Sequence, residues 1–138
     1  MSDTRVSPDE RAHTYEHDTE FARVRTRIYE IVSDDATDIR ERQRRLLAVG
    51  REFLGVENAH VERAVDEETH RVAVSVNDDR PVVTRGETFA RAGTFCRRTL
   101  DGESALAVSD AVAQGWASDP AREARGLDCY LGAPIRVG

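Results

Sequence analysis

An α+β fold is predicted, an antiparallel sheet with helices segregated to its faces, and three features of the sequence predict it. Two consecutive helix-like patterns occupy the N-terminal part, a run of alternating residues forming a hairpin follows, and the later strands and helices are short and show no regular βαβ repeat.

The first helix is expected from His17. Phe21, Val24, Ile28, Ile31 and Val32 recur at helical spacing and make one apolar stripe, whose 3-4-3 steps also suit a coiled-coil seam. Residues 1–16 are polar, contain Pro8 and lack that periodicity, so they read as a disordered or linker segment ahead of a domain over 17–138. Ser33 to Thr37 ends the helix. Asp38 then serves as N-cap of a second helix, with Glu41 placed as in a capping box. Ile39, Leu46, Leu47, Gly50, Phe53 and Leu54 form its apolar face, and Gly55 supplies the left-handed stop.

Strands are expected over 57–65 and 70–77. On the first, Ala59, Val61 and Val65 share one side and His60, Glu62 and Ala64 the other; on the second, Val72, Val74 and Val76 point inward. Val82-Val83 reads as a short third strand, and a loop through Gly86 leads to a short helix from Thr94. Ala105 to Ser109 is the next strand. Pro120, at the first position of a helix opened by Ser118-Asp119, precedes Gly126, which ends it. Cys129, Leu131, Ala133, Ile135 and Val137 then alternate along one face of a last strand.

A chain of 138 residues suits a single domain, with a core built from aliphatic residues because aromatics make up only 6%. All 20 basic residues are arginine, against 26 acidic ones, for a net charge of -6. That balance argues against a nucleic-acid surface, which needs clustered positive charge, and suggests a salt-rich cytosol. No apolar run reaches the roughly 20 residues of a membrane span, and no secretory signal opens the chain, so a cytoplasmic location is expected.

Cys96 and Cys129 are the redox candidates. A helix N-terminus with Arg97 and Arg98 nearby would lower the Cys96 pKa, whereas the plainer role for either cysteine is core packing. Trp116, the single tryptophan, can wall a small-molecule pocket or plug the core. His60 and His70 are not placed opposite one another, and His13 and His17 fall in the linker, so no metal site is expected. Asp34-Asp35 and Asp78-Asp79 read as turn carboxylates, and the scattered glycines form no phosphate loop; no catalytic residue is assigned.

The stretches TFCRRTL at 94–100, GWASDP at 115–120 and GLDCYLGAPI at 126–135 resemble the GAF sensory domain of halophilic archaeal signalling proteins, over residues 28–138. The resemblance implies two long helices on one face of the sheet and a ligand site beneath short helices on the other. It places Phe95, Cys96, Thr99, Trp116 and Tyr130 at that site, leaving the ligand and any cofactor unspecified. It further implies a homodimer, or a fused or associated histidine-kinase or bacterio-opsin-activator-like output domain, with signals passing through the N-terminal helix. GAF domains continue with a further strand and helix where this sequence ends at Gly138, so the final strand is expected to be missing. Cys96 is followed by Arg97, not the histidine of bilin-binding relatives, and the cysteine context differs from that of free methionine sulfoxide reductases. The implied role is therefore a non-catalytic sensor of a small molecule or of redox state. A ligand-free dimerisation module is the alternative.

Overall fold

The computed structural model describes residues 8–77 and 83–137, with side chains from Asp18 onward. Mixed α+β architecture is borne out: among the described residues, four helices accompany a three-stranded sheet of order β1-β2-β3 and a two-stranded sheet β4-β5. One sheet was expected, and two form. The chain divides into two compact units, Met1–Val61 with Val74–Thr84 and Glu62–Ala73 with Arg85–Gly138.

In the first unit, α1 spans Pro8–Val32, so the backbone is already helical ahead of His17 and only residues 1–7 of the expected linker lie outside the described residues. Pro8 suits the first helical turn, and Glu10, Arg11, Ala12 and Glu16 are good helix formers, so propensity carries the helix where no apolar stripe exists. The break after Val32 forms around Asp34, whose carboxylate accepts from Ala36 N at 3.1 Å and Thr37 Oγ1 at 2.6 Å. Helix α2 spans Ile39–Leu54. Asp38 caps it by accepting from Glu41 N at 2.9 Å, while the Glu41 carboxylate is bound by Arg44 and Arg45. Gly55 closes it at φ 65°.

Helix α1 packs on α2, with Phe21 edge-to-face on Phe53 at 6.3 Å between ring centroids and Arg27 paired to Glu52 at 3.2 Å. The apolar faces differ from those expected. Val24 and Ile31 are half-buried, whereas Phe21, Ile28, Tyr29 and Val32 are exposed; on α2 the buried residue is Val49, and Ile39 and Leu54 lie open. A stripe that spans more arc than one partner helix covers must leave part of itself outside.

Strands β1 (Asn58–Ala64) and β2 (Thr69–Asn77) match the predicted hairpin to within a residue, closed by Val65 N donating to Thr69 O at 2.9 Å. Val72 and Val74 are buried and Val76 half-buried, as their alternation requires, and His70 shares their parity and is buried with them. The division between the units falls within these two strands.

In the second unit, β3 is Thr88–Ala90, paired antiparallel to β2 with His70 opposite Phe89. The third strand expected at Val82-Val83 is not there: Val82 lies outside the described residues, and Val83 is a buried bend residue. Gly86, at φ 87°, turns the chain onto β2 instead, its N–H donating to Val72 O at 2.8 Å. A 3-10 turn Arg91–Gly93 leads to α3 (Cys96–Asp101), then β4 (Leu106–Val108), α4 (Pro120–Arg125) and β5 (Tyr130–Gly132). Asp119 caps α4, Pro120 occupies its first turn and Gly126 ends it at φ 66°, all as the sequence indicates.

Strand β5 is shorter than predicted. Tyr130 points to the core, and Cys129, Leu131, Ala133, Ile135 and Val137, the row expected to share one face, are all exposed. The largest side chain of the strand sets its register, and period-two alternation turns every odd neighbour outward.

Candidate functional site

Of the residues expected at a site, Phe95, Cys96, Thr99, Trp116 and Tyr130 do gather in the second unit. They gather as packed side chains. Phe95, Val108, Ala111 and Ala121 form a buried cluster with Leu106, Trp116, Leu127 and Tyr130 around it. The Phe95 ring lies 6.2 Å from Trp116 and 5.6 Å from Tyr130, and the Arg98 guanidinium sits 4.1 Å over the Trp116 ring. These aromatic and cation–π contacts hold Trp116 between neighbours.

The loop that carries Trp116 is fastened by its backbone. Trp116 N donates to Ala111 O at 2.8 Å, and Asp119 N donates to Trp116 O at 3.0 Å. Asp119 is the electrostatic anchor of this region: its side chain is 1% exposed and accepts from Arg97 Nη2 at 2.6 Å, Arg98 Nη2 at 2.8 Å and Ala121 N at 2.9 Å. Burial alone would raise its pKa, but the hydrogen bonds from Arg97, Ala121 N and Arg98 prevail and hold it at about 2. Arg97 and Arg98, expected to activate Cys96, are therefore committed to Asp119.

Cys96 itself is the opposite of a primed thiol. Burial, the nearby Glu62 carboxylate and a hydrogen bond to it push its pKa up to about 12, with the Tyr130 hydroxyl opposing the shift. The expectation of a lowered pKa fails because desolvation outweighs the short helix behind it. Cys129 is exposed, and both cysteines are free.

A polar chain that the sequence did not reveal links these residues. The Tyr130 hydroxyl meets Thr99 Oγ1 at 2.8 Å and donates to Cys96 Sγ at 3.7 Å. The Cys96 sulfur and a Glu62 carboxylate oxygen are within 4.8 Å, and Glu62 Oε2 meets His70 Nδ1 at 3.1 Å. Burial, with Cys96 next in weight, raises the Tyr130 pKa, so its phenol is neutral. Glu62, on the side of its strand opposite Ala59 and Val61, has a side chain only 10% exposed. The parity of His70 with Val72 and Val74 was the available signal; nothing in the sequence marked Glu62.

Gly132 makes room for this arrangement. A Cβ there would overlap the Tyr130 hydroxyl and ring, so the phenol reaches Thr99 and Cys96 across a residue with no side chain. In the first unit, a groove of about 290 Å3 runs between α1 and α2, lined by Arg27, Glu30, Ile31, Arg44, Arg45, Ala48 and Val49. Its arginines are engaged, Arg27 by Glu52, Arg44 by Glu41, and Arg45 by Glu41 and Asp34. No helix among the described residues is long and apolar enough to cross a membrane. No family model, curated protein or solved structure matches the chain.

Proposed function

We propose that the chain is a non-catalytic regulatory module that acts by pairing with a second copy of itself through its N-terminal helix. The observation that carries this reading is the apolar surface of α1. Phe21 is 54% exposed, Tyr29 75% and Val32 53%, and Ile28 lies open between them. Phe53 and Leu54 of α2, both exposed, continue that surface within the same unit. A two-fold arrangement lets one such stripe cover its own copy, burying both at once. Small-molecule sensing at Trp116 is the weaker form of the proposal, because Trp116 is packed against the Phe95 cluster. In the GAF-like reading, the module is cytoplasmic and its pairing state is passed to a fused or associated kinase or transcription-regulator domain.

Sedimentation velocity across a concentration series tests the pairing. A dimer is expected, and Phe21→Glu or Ile28→Glu should dissociate it while circular dichroism stays unchanged. A chain that remains monomeric to about 100 μM would refute the proposal.

A further inference from the structure

We propose that His70, Glu62, Cys96, Tyr130 and Thr99 form a hydrogen-bonded latch that opens locally, without unfolding of its unit, and so governs access to the Cys96 sulfur. The contacts run in series, from the His70 ring to the Glu62 carboxylate at 3.1 Å, on to Cys96, and through the Tyr130 hydroxyl to Thr99 at 2.8 Å. They draw on β2, β1, α3 and β5, so one polar chain fastens segments far apart in sequence.

Two observations make the latch easy to open. Two of the four elements it holds are short: β5 has three residues and α3 has six, so at that end few backbone hydrogen bonds resist separation. The closed state also carries a cost, because His70 Nε2 is buried with no hydrogen-bond partner among the described residues. A buried polar network missing one partner gains less from closure than a fully satisfied one. Closed, the sulfur belongs to a half-buried, neutral thiol, pushed up to about 12 by burial and Glu62. Open, it is an ordinary cysteine. The latch rests on the second unit alone and is independent of pairing through α1.

Alkylation of Cys96 by iodoacetamide in a Cys129→Ser variant, followed by mass spectrometry along a urea series, tests the latch. Because the closed thiol is half-buried and held neutral beside Glu62, the labelling rate rises with the open population. Labelling is expected to be far slower than that of Cys129 in the native chain and almost independent of urea at low concentration. Tyr130→Phe should accelerate it roughly five- to tenfold, the effect of one lost net hydrogen bond on an opening equilibrium. If Tyr130→Phe does not fold by circular dichroism, Thr99→Val removes a neighbouring link of the same chain. The latch is overturned if Cys96 labels as fast as Cys129. It is equally overturned if the rate rises with urea along the slope of global unfolding, or if the folded variant labels like its parent.

Discussion

Replacing Asp119 by Asn removes one negative charge from the point where Arg97, Arg98 and the start of α4 meet. The Asp119 carboxyl is held at about 2 against an ordinary 3.8, a preference for the charged folded form of about 2 kcal/mol. Part of this is recoverable by solvent, since the Arg98 side chain is 39% exposed, so a loss of about 1–2 kcal/mol is expected at neutral pH. Asn can still cap α4, which keeps the test on the charge. The folded pKa lies below the unfolded one, so this stabilisation is complete above about pH 4 and fades as the pH falls through about 2. Urea unfolding followed by Trp116 fluorescence, which reports on the adjoining ring stack, gives both numbers. The parent should lose stability between about pH 4 and pH 2, and Asp119→Asn should flatten that limb. A variant within about 0.5 kcal/mol of the parent at pH 7, with the acid limb unchanged, would refute the anchoring role.

Gly132→Ala should destabilise by about 1–3 kcal/mol through overlap with the Tyr130 ring, and Tyr130→Ala in the same chain should recover part of the loss, read by urea midpoints. Asp38→Ala should cost about 1 kcal/mol by freeing Glu41 N, with helical circular dichroism falling at lower temperature. Under dilute peroxide, mass spectrometry should find oxidation at Cys129 before Cys96, because the first is exposed and the second is a half-buried neutral thiol; the reverse order would contradict the assigned environments.

The parts of the fold that could be read beforehand are those fixed by neighbours in sequence. Asp38 and Gly55 bracket α2, Asp119-Pro120 and Gly126 bracket α4, and Val72, Val74 and Val76 alternate along β2. Each depends on local hydrogen bonds, a positive φ or a side-chain period that a short window contains. Strand β3 escaped because three residues are too few to show alternation, and its pairing depends on where the turn at Gly86 delivers it. The start of α1 escaped because a helix without an apolar stripe leaves no periodic trace.

The candidate site divides in the same way. That Phe95, Cys96, Thr99, Trp116 and Tyr130 belong together came from a resemblance of short stretches, and they do converge. The chemistry of Cys96 differs from that expected, because a pKa depends on burial and on which charges arrive from elsewhere. Arg97 and Arg98 are next in sequence but face Asp119, while Glu62, far away in sequence, is the charge the sulfur meets.

By itself the sequence determined an α+β class, the caps, the hairpin and an acidic, lysine-free surface, because composition, turn chemistry and periodicity are properties of nearby residues. Only tertiary structure decided that β4 and β5 form a sheet of their own, that Tyr130 turns inward, and that His70 and Glu62 meet. Those outcomes depend on which distant groups compete for the same buried space, a competition settled by packing and desolvation once the chain is folded.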